Sequence, residues 1–283
     1  VYVGKNEMGD SNKHYNNVYA IDGKLGLGKK ADITGFFSKS DSPGIDSSDH
    51  SFKLIANYNW DGWRINAGYT EVGEGFNPEV GFLMRSAFKK PEFIVFKQIR
   101  LKDFGPLLEV RPHIAHRSYF DFQDRLVSSW THIDNHWVWP SGFEIHTGVN
   151  ITSEGVFDAF KISDVEIPSG EYYHNELQLY IKSNPNTALS FTSRTVIGGY
   201  YGGDRFLFSN NIKYRIGNKF NSTLNLDYTK LNLENGDINA LITGLKLSYS
   251  FTPKMYLQSL IQYNNVTNIT SVNTRFGVLQ TAN

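Results

Sequence analysis

The chain has 283 residues, with 28 lysines and arginines balancing 28 aspartates and glutamates, 20 Phe, 16 Tyr and 5 Trp, and no cysteine. The lack of cysteine excludes a disulfide scaffold, a thiolate metal cluster and a cysteine nucleophile. Zero net charge without a basic block argues against a nucleic-acid partner, and no apolar run reaches the ~18 residues of a transmembrane helix.

Apolar and polar residues alternate with a period of two along much of the chain, which predicts strands rather than helices. The alternation is clearest at 52–60, 63–69, 143–151, 206–216, 220–228 and 245–251. Between the first two, Asp61-Gly62 is a two-residue hairpin signal. We count about 16 strands of roughly 9 to 15 residues, longer than the ~5–6 residues of ordinary soluble strands. Because no linker-like stretch divides the sequence, residues 1–283 are predicted to form a single domain.

Strand length separates two all-β interpretations. A soluble sandwich would use shorter strands and more apolar residues at its inner positions. Here the mean hydropathy is −0.37 while single strand faces are strongly apolar, as in a barrel with lipid outside and water inside. We therefore predict an antiparallel transmembrane β-barrel. Aromatic residues are expected to anchor it at the two membrane interfaces, and the candidates are Trp60, Trp63, Tyr228, Tyr249 and Phe251.

The segment Glu71-Val72-Gly73-Glu74-Gly75-Phe76-Asn77-Pro78-Glu79-Val80-Gly81-Phe82-Leu83-Met84-Arg85 resembles a signature of the DUF5916 family, outer-membrane proteins of Bacteroidetes. Segments 23–28, 34–40, 247–254 and 260–264 fit the same resemblance. It implies a family-9-type carbohydrate-binding domain followed by a β-barrel, of which this chain matches only the later part. We expect the carbohydrate-binding domain and the closing strands to lie outside the chain.

The stretch 76–82 (Phe76, Asn77, Pro78, Glu79, Val80, Gly81 and Phe82) is the best local candidate for a functional loop. Glycines and a proline constrain its backbone, and its apolar content is too high for a free surface loop. Three alternatives stay open: a constriction folded into the lumen, a docking site for a partner protein, or a self-packed loop over the barrel mouth.

Charged residues that alternate with apolar ones are predicted to face the lumen and to tune which solutes pass. The alternative is that they only solvate the lumen or pair with one another. The candidates are Arg64, Glu144, His146, Arg194, Lys213 and Arg215.

His132, Asp134 and His136 share one face of a predicted strand, a spacing that can chelate a divalent ion. Because the sequence fixes no further ligand near them, we interpret them as a wet luminal or loop face. No metal and no cofactor are predicted.

The leading functional hypothesis is a pore or uptake channel in a bacterial outer membrane, which the resemblance links to glycan uptake. The second is a scaffold subunit of an outer-membrane secretion or assembly complex, which would bind other outer-membrane proteins. An outer-membrane hydrolase is the third, although no G-x-S-x-G nucleophile elbow occurs. The expected partners are outer-membrane lipid and, for the scaffold, other membrane proteins.

Overall fold

The computed structural model describes residues 1–6, 15–45, 47–102 and 105–279, which contain nineteen β-strands. In chain order these are β1 (Tyr2–Asn6), β2 (Tyr15–Leu27), β3 (Ala31–Asp41), β4 (His50–Trp60), β5 (Trp63–Val72), β6 (Phe88–Lys97), β7 (Ile99–Arg100), β8 (Glu109–Phe120), β9 (Leu126–Val138), β10 (Glu144–Val156), β11 (Phe160–Ile162), β12 (Val165–Ile167), β13 (Gly170–Lys182), β14 (Leu189–Tyr200), β15 (Gly203–Ile216), β16 (Phe220–Leu233), β17 (Gly236–Thr252), β18 (Met255–Asn264) and β19 (Ile269–Val278). Across those same residues, no helix has the length and apolar character needed to cross a membrane.

Seventeen of these strands belong to one sheet, and β11 and β12 form a separate two-stranded sheet. Neighbours along the chain are generally neighbours in the large sheet, and they pair antiparallel, as in the runs β2 to β6 and β13 to β19. In the described part of the chain, fifteen strands have ten or more residues. The predicted all-β architecture of long antiparallel strands is confirmed.

A two-residue turn joins β4 to β5. Asp61 and Gly62 connect β4 to β5 with φ angles of 48° and 75°, and Trp60 pairs directly with Trp63. Two successive positive φ values give the backbone the twist that suits a two-residue hairpin, and the glycine adopts its value without a Cβ clash. The hairpin predicted from this dipeptide is confirmed.

The described contacts divide the chain into two compact units. The first unit comprises residues 1–98, 112–133 and 152–156, and the second comprises 99–111, 134–151 and 157–283. Each unit has a polar and an apolar face, because antiparallel register sends alternate side chains to opposite sides of a sheet.

In the first unit, the polar face carries a chain of hydrogen bonds across three strands. Asn66 donates to Asn57, and Asn57 donates to Asp32 over 2.8 Å. The apolar face carries Ile21 and Leu54, whose side chains are 72% and 55% exposed. Apolar groups therefore point away from the protein while polar groups satisfy one another, the reverse of a soluble core.

The second unit shows the same division. On its polar face Arg194 donates two hydrogen bonds to Gln178, and Ser209 donates to Asp227. On its apolar face Leu177 and Ile197 are register partners, and both side chains are exposed. The sheet of each unit thus presents one face suited to water and one suited to hydrocarbon.

Candidate functional site

Part of the loop between β5 and β6 packs on the polar face of the first unit. Phe76 is buried in a small apolar cluster with Val72, the last residue of β5, and Phe88, the first of β6; Leu83 and Tyr119 pack against this cluster. Because Val72 shares its strand face with Arg64 and Asn66, the loop folds back over the polar face.

Asn16 and Ser40, both almost fully buried, fasten this loop to β2 and β3. The Asn16 amide donates to the carbonyl of Asn77 over 2.7 Å and to Ser42 Oγ over 2.7 Å, and its oxygen accepts the backbone N–H of Glu79. The backbone N–H of Asn77 donates to Ser40 Oγ over 3.0 Å. These contacts give the loop one defined path, which the sequence pattern alone did not show.

The tip of the loop is different, because its apolar side chains stay in solvent. Phe82 and Met84 are 89% and 88% exposed, and Val80 is also exposed. Residues 76–82 were predicted to act as a single loop, whereas the structure separates a packed base at Phe76 and Asn77 from an exposed apolar tip. The base resembles the self-packed alternative, and the tip leaves partner docking open.

Each of the six charged lumen candidates lies on the polar face of its strand. Their contacts differ. Arg64 stacks over the Phe96 ring at 4.4 Å, Glu144 pairs with His146 and Lys182, Arg194 binds Gln178, and Arg215 donates to the carbonyl of Asn186. Lys213 lies beside Arg215 in alternation on β15 and is exposed. Their role in solute selectivity stays a prediction.

A cavity of about 300 Å³ is lined by residues of the first unit. Its charged and aromatic lining includes Lys53, Glu92, Arg117 and Trp130. Lys53 Nζ lies 3.6 Å from Glu92 Oε1, and the Arg117 guanidinium stacks over the Trp130 ring at 4.5 Å. These residues meet only through strand pairing, so the sequence did not reveal them; the period-2 pattern around Lys53 was their one available signal.

An ion pair with a buried carboxylate in the second unit was also not predicted from the sequence. Glu176 on β13 is nearly fully buried and pairs with Arg205 on β15, whose guanidinium stacks over the Tyr200 ring. Asn150 donates a further hydrogen bond to Glu176. The two charged residues are 29 positions apart, so no local motif joins them.

The histidines of β9 lie on its polar face. His132 and Asp134 are buried and His136 is half-buried, whereas Ile133 between them is exposed on the other face. In the second unit, His146 of β10 supplies a neighbour for Asp134 and His136 that the sequence did not reveal. The ligand atoms of these three residues lie within 4.8 Å of one another.

The candidate interface aromatics lie on apolar strand faces, and all of them except Tyr228 lie near strand ends. Trp60 and Trp63 flank the Asp61-Gly62 turn and are both partly exposed, with Lys30 Nζ 3.9 Å from the centre of the Trp60 ring. In the second unit, Tyr249 and Phe251 pack edge to face near the end of β17. Tyr228 lies further inside β16 and is half-buried, so its position suits an interface anchor less well.

No protein-family model matches the sequence, and the search of curated proteins finds no match. Among solved structures, the chain resembles the G324V mutant of the ferric enterobactin receptor PfeA from Pseudomonas aeruginosa, with a TM-score of 0.51 and 8% identity over 93% of this chain and 52% of that one. Two structures of OmpT, an outer membrane protein of Vibrio cholerae, align at a TM-score of 0.37, with 11% and 10% identity over 93% of this chain and 96% of theirs.

The chain spans about half the length of the Pseudomonas receptor. At 8% identity this likeness concerns the fold alone, and it agrees with the long antiparallel strands and the divided faces described above. The predicted fold class is confirmed: the chain has the antiparallel β-barrel fold of bacterial outer-membrane proteins.

Proposed function

We propose that the chain resides in a bacterial outer membrane with its apolar faces in contact with lipid. The observation that carries this proposal is the exposure of large apolar side chains such as Ile21, Leu177 and Val272, which are 72%, 65% and 65% exposed. Burial of apolar surface is worth roughly 25 cal/mol per Å², so contiguous apolar faces in water would drive aggregation. Trp60 and Trp63 at a strand end match the aromatic girdle of membrane barrels.

We further propose that the barrel is a pore for small polar solutes. Its polar faces carry charged side chains that are only partly paired, including Lys213 and Arg215, which are exposed. The charged cavity at Lys53, Glu92 and Arg117 offers a place where a polar solute can pause. The packed base of the loop at Phe76 covers part of the polar face of the first unit.

Single-channel recording of the refolded protein in a planar lipid bilayer tests the pore. We expect discrete conductance steps, and block by added oligosaccharides if the link to glycans that the family resemblance implies is correct. Conductance without oligosaccharide block would reject the glycan role alone. A protein that inserts and resists unfolding by detergent at room temperature, yet gives no conductance, would overturn the pore.

The exposed loop tip favours a second candidate function, a scaffold subunit that binds another outer-membrane protein. A photo-crosslinker at Phe82 in cells would then yield one discrete adduct, which Met84→Ser would reduce. A crosslinker at the exposed turn residue Asn218 is the matched control. Equal labelling from both positions, or none from Phe82, would contradict the scaffold.

A further inference from the structure

We propose that Asp134, His136 and His146 form a binding site for a divalent transition-metal ion such as Zn²⁺. Asp134 and His136 are two residues apart on β9, so their side chains share its polar face. The 139–143 turn brings β10 back, and His146 then lies beside them. His136 Nε2 is 3.5 Å from Asp134 Oδ2. The three ligand atoms thus converge within one hairpin of the second unit.

The charges at this site suit a cation. The Asp134 side chain is 2% exposed, and a buried carboxylate is costly unless positive charge offsets it. The rings of His136 and His146 stack with their centroids 3.5 Å apart. Each imidazole ring offers a nitrogen lone pair of the kind that binds transition-metal ions.

Groups behind the ligands hold the His146 ring in place. His146 Nε2 lies 3.2 Å from Glu144 Oε2, and Lys182 Nζ lies 3.4 Å from the other oxygen of Glu144. A carboxylate only accepts hydrogen bonds, so Nε2 carries the proton and Nδ1 keeps its lone pair. The Tyr180 ring packs on His146 with centroids 4.9 Å apart. Glu144 is therefore a positioning residue, as carboxylates behind metal-bound histidines commonly are.

The donor set selects the class of metal. Two imidazole nitrogens and one carboxylate oxygen suit Zn²⁺, Ni²⁺ or Cu²⁺, whereas Ca²⁺ and Mg²⁺ prefer oxygen ligands alone. An imidazole nitrogen binds a metal close to the plane of its ring, so the stacked rings of His136 and His146 must turn apart before one ion can bind both. Metal–ligand bonds of about 2.0–2.2 Å also need the ligand atoms, which lie within 4.8 Å of one another, to move closer together. Three protein ligands leave a fourth position for water or a solute. The proposed metal site does not depend on whether the barrel conducts ions.

Equilibrium dialysis of the refolded full chain against Zn²⁺ tests the site. We expect one saturable equivalent that excess Ca²⁺ does not displace. Asp134→Asn, His136→Gln and His146→Gln should each weaken Zn²⁺ binding at least tenfold. Glu144→Gln should keep the 1:1 stoichiometry with roughly 10–100-fold weaker binding. The matched control is His50→Gln, because His50 is also half-buried and lies 2.9 Å from a carboxylate oxygen of Glu71.

The absence of a saturable equivalent would overturn the site, and so would equal loss of binding in His50→Gln. If a variant fails to fold, chemical modification of the histidines in the wild-type protein still tests the site. Zn²⁺ should shield His136 and His146 from modification by diethyl pyrocarbonate and leave His50 reactive. Uniform modification of all three histidines with and without Zn²⁺ would equally refute the site.

Discussion

The side-chain amide of Asn16 donates a hydrogen bond of 2.7 Å to the backbone carbonyl of Asn77, 61 residues further along the chain. Asn16 is almost fully buried on β2, and Asn77 lies in the loop between β5 and β6. A buried amide that bonds a loop backbone fixes that loop, because releasing the loop would leave polar groups without partners. This contact holds the base of the loop on the polar face of the first unit.

Asn16→Ala should loosen the loop and lower the free energy of unfolding by about 2 kcal/mol, since the three hydrogen bonds of this buried side chain are lost. Limited proteolysis within 73–87 should become faster, and urea unfolding should report the change in stability. Asn221→Ala, at an exposed asparagine on β16, is the control and should leave both measurements unchanged. Identical proteolysis of wild type and Asn16→Ala would show that Asn16 does not hold the loop.

Phe76→Ala should destabilise the protein by about 3 kcal/mol, because it empties a buried site between Val72 and Phe88. Phe82→Ala is the matched control, since the same substitution six residues on removes a side chain that is 89% exposed. It should change stability by less than about 0.5 kcal/mol. Equal effects of the two variants in urea titrations would contradict the packed base.

Glu176→Gln should lower the free energy of unfolding by about 2 kcal/mol, because the half-buried Arg205 guanidinium loses its charged hydrogen-bond partner. Adding Arg205→Met should restore part of that loss. Glu234→Gln, in the exposed turn before β17, should have no measurable effect. A double variant that is less stable than either single variant would argue against direct coupling of the two charges.

The turn at 121–125 provides a pH-dependent contact outside the strands. Partial desolvation raises the pKa of Asp121, but hydrogen bonds from the backbone and guanidinium of Arg125 and the backbone of Gln123 together lower it below its usual value. A lowered folded-state pKa stabilises the turn above the unfolded pKa, and the gain is lost as pH falls through the folded pKa.

NMR titration of the Asp121 carboxyl should therefore give a midpoint below 3.8. In the Asp121→Asn variant at pH 7, the amide protons of Gln123 and Arg125 should exchange with solvent faster than in the wild type. Near pH 2 the two proteins should differ less. A midpoint at or above 3.8 would rule out the stabilised carboxylate.

If the barrel conducts, Lys213→Gln with Arg215→Gln should shift its ion selectivity toward cations, because two positive charges leave the polar face of β15. Reversal potentials in a salt gradient measure the shift. Lys219→Gln with Lys254→Gln, at exposed turn positions before β16 and after β17, is a control that removes the same number of positive charges away from that strand face. Equal shifts in both proteins would indicate a general charge effect rather than lining of the path.

The charged residues show how far strand periodicity reaches. Alternation placed Arg64, Glu144 and Arg194 on polar faces, and it did so correctly because the side-chain period of a strand is fixed at two. It could not show that Glu144 contacts Lys182, 38 positions away, or that Glu176 pairs with Arg205. Those contacts depend on the register between strands, which no single segment encodes.

The sequence by itself determined the all-β class, the long strands, the Asp61-Gly62 hairpin and the division into polar and apolar faces, because each follows from local backbone and side-chain preferences. Tertiary structure alone decided which strand faces meet. It placed His146 beside Asp134 and His136. It also separated the base of the loop, which Asn16 holds by hydrogen bonds, from the exposed tip at Phe82. These features depend on hydrogen bonds and packing contacts between strands and loops. Such contacts form, and contribute to stability, only after the strands have paired in their final register.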